Sequence, residues 1–203
     1  VAASRDVLNG TVVPADLPTG PIAVWRTDTG KLCANGDRCP HRGMRLSHGF
    51  VRGGTLSCIY HGWRFGTNGA CQHIPAHPDL VPPRSIHCGP LPVVEQGGIV
   101  WVAAVEPEDA PPDFPGYDAL RRLVVLASHR ALLAASGGVG VEGGLKVTLG
   151  QGVGYLLLTP CGRDEISVIA LVKAEATIEE RRAASVALEA LRRRAEATQV
   201  ETA

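Results

Sequence analysis

The sequence predicts an α+β protein that is mostly β. A domain of short antiparallel strands is expected over residues 1–105, a linker over 106–118, and a smaller α/β region ending in a helix over 119–203. Three observations carry this reading. Short apolar runs alternate with Gly, Pro and Asn turn signals through the first region. A Pro-rich acidic stretch, Glu106–Asp118, then interrupts the pattern and has the composition of a domain boundary. After it, strand-like runs precede one long polar segment, Thr177–Ala197, with helical composition.

Taken in order, Ile22–Thr27, Lys31–Asn35, Thr55–Ser57, Trp63–Phe65 and Gly98–Val105 are the candidate strands of the first region. Thr67-Asn68-Gly69 supplies a hairpin turn. Beyond the linker, Arg121–Ser128, Leu145–Leu149, Val153–Thr159 and Glu165–Lys173 are strand candidates. The helix starts on a capping box formed by Thr177 and Glu180. Ile178, Val186, Leu188 and Leu191 give it a partly apolar face, and Arg192–Arg194 suit its C-terminal end. The glycine-rich residues 136–154 include Gly138-Val-Gly140-Val-Glu-Gly143, which matches G-x-G-x-x-G. No strand leads in and no helix follows, so a flexible loop is expected there rather than a phosphate site.

Chemistry concentrates in two short pairs, Cys39-Pro40-His41 and Cys58-Ile59-Tyr60-His61, with sixteen residues between His41 and Cys58. Each loop offers one thiol and one imidazole. A [2Fe–2S] centre of the Rieske type needs two thiolates on one iron and two imidazoles on the other, which two such loops provide. The expected job is one-electron transfer, with Cys39, His41, Cys58 and His61 as ligands. Structural zinc also takes two Cys and two His, but its usual spacing pairs Cys with Cys and His with His, whereas here they interleave. Around the ligands, Gly43, Gly49, Gly53, Gly54 and Gly62 are expected to turn the backbone tightly and bring amides toward sulfide. Pro40 stiffens the first loop. Trp63 either packs beneath the second loop and excludes water or is an ordinary core Trp. Arg42 and Arg45 read first as solvated loop charges and second as a basic rim for a redox partner.

The run Cys39-Pro-His-Arg-Gly-Met-Arg-Leu-Ser-His-Gly49, followed by Leu56-Ser-Cys-Ile-Tyr-His-Gly-Trp-Arg-Phe-Gly66, resembles the Rieske domain of ring-hydroxylating and O- or N-demethylating oxygenases of the vanillate demethylase type. Gly69-Ala-Cys-Gln-His-Ile-Pro75 is similar to the strand and loop that close that domain, and the resemblance covers about residues 5 to 105. Rieske proteins of cytochrome bc complexes add a disulfide-forming Cys to each loop; Met44 and Tyr60 stand there in this chain. The resemblance therefore implies a low-potential, oxygenase-type cluster. It also implies a Rieske-type antiparallel β domain followed by a reduced helix-grip-like C-terminal region with a terminal helix. Tyr155-Leu-Leu-Leu-Thr-Pro160 and Glu165–Lys173 resemble the late strands of such a region.

Family oxygenases add a second iron on a 2-His-1-carboxylate triad. After the linker this chain has one His, His129. Mononuclear Fe(II) is therefore not expected on this chain, nor is autonomous oxygenase activity. The pattern fits a catalytic domain shortened by deletion, and the first residues resemble the interior of a family N-terminus. His73 and His77 are suitably spaced, but Pro75 and Pro78 oppose a helix and point to a surface loop. His48 and His87 read as ordinary loop histidines. The resemblance implies a reductase or ferredoxin as electron donor and a partner oxygenase subunit as acceptor, in a homo- or hetero-trimer. Two other readings stay open. One is a complete oxygenase with an unrecognised iron site, acting on an aromatic or heterocyclic substrate; the other is a non-redox zinc-binding module.

Composition bounds the rest. In 203 residues, 20 Lys and Arg balance 20 Asp and Glu, which gives no nucleic-acid-binding surface. No apolar run reaches membrane-spanning length and no signal-peptide pattern stands at the start, so no membrane association and a cytoplasmic location are expected. Cys33, Cys71, Cys88 and Cys161 form no regular framework and are expected to be free thiols.

Overall fold

The computed structural model describes residues 1–201; residues 202–203 of the expected C-terminal region lie outside them. In chain order come β1 (Ala2–Ala3), β2 (Val12–Leu17), β3 (Gly20–Arg26), β4 (Leu32–Gly36), β5 (Phe50–Arg52), β6 (Thr55–Ser57), β7 (Arg64–Phe65), β8 (Cys71–His73), β9 (Pro90–Leu91), β10 (Val93–Gln96) and β11 (Ile99–Val102). There follow β12 (Tyr117–Val125), α1 (His129–Ser136), β13 (Val139–Val141), β14 (Gly144–Leu149), β15 (Gly152–Gly162), β16 (Glu165–Lys173) and α2 (Ile178–Glu201). Two compact units result. The first holds Ser4–Glu95 and Val100–Glu108; the second holds Val1–Ala3, Gln96–Ile99 and the chain from Asp109 onward. Among the described residues no helix is long and apolar enough to cross a membrane.

The first unit contains two four-stranded antiparallel sheets, ordered β2-β3-β4-β9 and β5-β6-β7-β8. In β3 the run Ile22, Ala23, Val24, Trp25 is buried without alternation, so this strand is covered on both faces. The indole N–H of Trp25 donates to Asn35 Oδ1 at 2.7 Å, which satisfies the ring's one polar atom inside the core. In the second sheet β5 and β6 meet through Gly53-Gly54, with φ of 56° and 74° and Arg52 paired to Thr55. Two positive φ values in a two-residue connection fit the type I′ hairpin turn. These glycines therefore serve the hairpin and not the ligand loops, contrary to the sequence expectation. Ser57 pairs with Arg64, so β6 and β7 grip the residues between them at a fixed separation. Leu46, Leu56 and Phe65 are fully buried beside Cys39 and Cys58.

The second unit is one five-stranded antiparallel sheet, β12-β16-β15-β14-β13, with α1 and α2 packed on it. Interior strand β16 is buried from Ile166 to Val172, a run that is apolar except for Ser167, whose hydroxyl accepts from Arg122 Nε at 2.6 Å. Helix α1 was not anticipated. Ser128 Oγ caps it by accepting from Ala131 N–H, and Gly137 ends it in the left-handed region. The segment expected as a flexible loop forms β13 and its hairpin with β14, with Val139 opposite Lys146. A strand leading into a strand gives no helix N-terminus for phosphate.

The capping box of α2 forms as expected. Thr177 N–H donates to Glu180 Oε2 at 2.7 Å, and Glu180 N–H donates to Thr177 Oγ1 at 3.2 Å. The buried stripe differs from the expected one. Ala184, Leu188, Leu191 and Ala195 face the sheet, whereas Ile178 and Val186 are 87% and 65% exposed. Leu188→Ala should therefore cost about 2–5 kcal/mol in urea unfolding. Val186→Ala should change stability by no more than about 0.5 kcal/mol. Equal losses would contradict this helix orientation.

Candidate metal centre

Two loops, Cys39–Met44 and Cys58–Trp63, close by the same pair of hydrogen bonds. Cys39 N–H donates to Met44 O at 2.8 Å and Cys58 N–H to Trp63 O at 2.9 Å. In return Gly43 N–H donates to Cys39 O at 2.8 Å and Gly62 N–H to Cys58 O at 3.0 Å. Both returns need a left-handed residue four places after the Cys, and Gly43 and Gly62 supply it with φ of 70° and 68°. The loops share this frame although His41 stands two places after its Cys and His61 three. A Cβ on Gly62 would also meet Pro75 Cγ at 3.0 Å, so the Ile74-Pro75 segment lies close against the second loop.

The four candidate ligands separate into two pairs. Cys39 and Cys58 are buried free thiols within hydrogen-bond reach of each other. His41 and His61 lie side by side with ring centroids 4.6 Å apart, His61 open to solvent and His41 half-buried. Burial pushes the Cys39 thiol up to about 11, and neighbouring Cys58 adds to this; the backbone N–H groups of His41 and Arg42, which donate to its sulfur, work in the opposite direction. Loss of solvent, followed by the charges of His61 and Arg42, holds the His41 imidazole below its usual value. A neutral imidazole is the form that binds a metal. The thiols must lose their protons to a metal, so loading releases protons.

Aromatic rings fix the imidazoles. Trp63 stacks flat on His41, 4.5 Å between centroids and 5° between planes, and Tyr60 lies 3.8 Å from His61. Trp63 thus belongs to the second loop but supports the first, which neither sequence-based reading of it anticipated. Asp37 was not singled out either. It is wholly buried and accepts from Ser47 N–H at 2.6 Å and Ser47 O–H at 2.8 Å, with Arg45 at 3.7 Å. These bonds tie the residues just before Cys39 to the turn at Leu46–His48. A lone Asp between Gly36 and Arg38 carries no sequence signal for such a role.

The remaining candidates stay apart. Among the described residues, no three His, Cys, Asp or Glu side chains are grouped to hold a single ion. His73 ends β8, and His77 follows in a turn where its N–H donates to Ile74 O. His87 Nδ1 accepts from Gly89 N–H, and His129 opens α1. Cys33, Cys71 and Cys88 are buried free thiols, and Cys161 is a half-buried one. Removing the Asp37 carboxylate strands the Ser47 amide, so Asp37→Ala should cost at least about 1–3 kcal/mol in chemical unfolding. Asp37→Asn, which keeps one acceptor, should cost less. Equal losses would show that the bonds to Ser47 do not matter.

Residues 1–92 match the family described as the Rieske [2Fe-2S] domain. The chain is 38% identical over 112 residues to "Oxidoreductase NdmD" of Pseudomonas putida, a stretch that is 55% of this chain and 19% of that protein. It is 35% identical over 112 residues to the oxygenase component of dicamba O-demethylase from Stenotrophomonas maltophilia, again 55% of this chain and 33% of that protein. The chain thus spans well under two thirds of these relatives. Apo dicamba monooxygenase has a similar fold, with a TM-score of 0.77 over 98% of this chain and 84% of that one at 19% identity. The paired ligand loops, the family match and these relatives agree: residues 1–92 are a Rieske [2Fe-2S] domain, similar to those of the Rieske non-haem iron oxygenases.

Proposed function

We propose that this chain is the electron-transfer component of a Rieske oxygenase system that hydroxylates or demethylates an aromatic or heterocyclic compound. The observation that carries the reading is the division of the ligands into a buried thiol pair and an outward imidazole pair. Cys39 and Cys58 would hold the inner iron as thiolates, and His41 and His61 the outer iron through one ring nitrogen each. Bound there, a [2Fe–2S] cluster supplies a site for one electron. Hydrophobic residues keep water from the sulfur side. The second nitrogen of each imidazole remains available to hydrogen-bond a partner. Trp63 and Tyr60 hold the rings in place, so an electron can arrive and leave with little reorganisation. A reductase or ferredoxin is the donor and a partner subunit's mononuclear iron the acceptor, within a trimer in the cytoplasm. Mononuclear iron is not part of this chain in this reading.

A complete oxygenase is the second reading. The fold likeness to dicamba monooxygenase, which runs through the β12–α2 unit, favours it. Ligand order opposes the zinc module.

Two variants test the assignment. Cys39→Ala should abolish the visible absorption of the purified protein. His61→Cys should keep a cluster and lower its reduction potential, because a thiolate adds negative charge where an imidazole added none. An unchanged potential, measured by spectroelectrochemistry, would remove His61 from the ligand set.

A further inference from the structure

The β12–α2 unit builds its core from aliphatic side chains alone, among them Leu132, Leu156, Val168 and Leu188. Its Phe and Tyr residues, Phe114, Tyr117 and Tyr155 (it has no Trp), lie outside that core, each half-buried. Register explains where they meet. Tyr117 pairs with Lys173 and Tyr155 with Leu171, two residues along β16, so both rings rise from the same face of the sheet. Leu156, Ala170 and Val172, which alternate with them, belong to the core shared with α1 and α2. The rings therefore stand on the face opposite the helices.

They meet at steep angles and do not stack. The Tyr155 ring centroid lies 5.0 Å from that of Phe114 at 54° and 4.7 Å from that of Tyr117 at 80°. With Pro115 and Val141 the rings wall a cleft of about 280 Å³, which Asp113 and Glu142 complete. Both carboxylates are exposed, and neither has an ion-pair partner among the described residues. Among the described residues no Lys, Arg or His lines the cleft. Its walls are held from behind. Gln96 Nε2 donates to Pro111 O at 2.9 Å, and a Cβ on Gly143 would meet Pro112 Cγ at 2.5 Å, so the β13–β14 turn lies tight against the Pro-rich segment. Tyr117 N–H donates to Phe114 O at 3.1 Å and Ala174 N–H to Gly116 O at 2.8 Å, which fixes the turn from Phe114 into β12. A cleft held in this way is preformed, so a ligand loses little affinity to ordering it.

We propose that this cleft binds a small organic cation with a quaternary ammonium head. An aromatic ring is negative on its face and attracts a cation placed over it. Rings set at steep angles offer such a head several walls, where a flat stack would offer one. Asp113 and Glu142 add full negative charge, and no basic side chain in the cleft opposes them. A primary ammonium would bring three N–H donors to satisfy, and Phe114, Pro115 and Val141 present no side-chain acceptor. Methyl groups on nitrogen need no acceptor and pack on these apolar walls. The volume falls just below the range of drug-sized pockets, which limits the ligand to a few atoms beyond its head. None of these residues belongs to the Cys-His loops, so the site stands whatever metal those loops hold.

The test titrates the full chain with choline and follows the choline methyl signal by saturation-transfer NMR. Choline should bind saturably. Its uncharged carbon isostere, in which a tert-butyl group replaces the trimethylammonium, should bind at least about tenfold more weakly. Tyr155→Leu should weaken choline binding about fivefold or more. Glu142→Gln, on the exposed β13–β14 turn, should weaken it about twofold or more at low salt. Glu179→Gln, an equal charge change on the exposed first turn of α2, should leave it unchanged. Thermal melting checks that each variant folds; where Tyr155→Leu does not, Glu142→Gln and the isostere decide. No saturable binding, equal affinity for the isostere, or equal effects at Glu142 and Glu179 would overturn the proposal. Tighter binding of a trimethyllysine peptide than of choline would overturn the assignment to a small molecule.

Discussion

The two Cys-His loops of the Ser4–Glu95 unit answer to one constraint: two separate turns must set two thiols and two imidazoles in a single arrangement. The chain meets it by closing both loops with the same reciprocal hydrogen bonds between a Cys and the fourth and fifth residues after it. Closure fixes each Cys relative to its own loop, and only the left-handed Gly43 and Gly62 permit it. What remains is to fix the loops to each other. The β6–β7 pair grips the ends of one, the buried Asp37–Ser47 bonds anchor the start of the other, and Trp63 bridges them by stacking on His41.

The burial pattern then sets the chemistry. A thiol in an apolar interior resists ionisation, and Cys39 does so. A metal relieves that cost by replacing the proton with a stronger charge, so the site is poor as a free thiol pair and good as a ligand pair. On the outer side the imidazoles stay near water, where, in the proposed function, an electron would cross to a partner. Neutral donors there would leave a bound cluster less negative than four thiolates would, and so readier to accept an electron.

The two Cys-His pairs that the structure brings together stood out in the sequence because C-x-H-x16-C-x-x-H is an interleaved spacing with few uses other than metal binding. Long antiparallel strands such as β16 and the capped start of α2 were readable for the same reason: period and caps are local. Contributions made by tertiary contact were not readable. Trp63 crosses to the other loop, Asp37 is buried by a turn ten residues away, and Val186 faces solvent while Leu188 faces the core. Strand β13 hid in a glycine-rich stretch whose composition suggests a loop, because its place is set by pairing with β14 and not by propensity.

The central claim is that two thiols and two imidazoles on this chain hold a [2Fe–2S] cluster. Iron, zinc and acid-labile sulfide per chain, determined on anaerobically purified protein together with the EPR spectrum after reduction, test it most directly. The account predicts about two irons and about two sulfides per chain with a Rieske-type signal. Zinc without sulfide would contradict it.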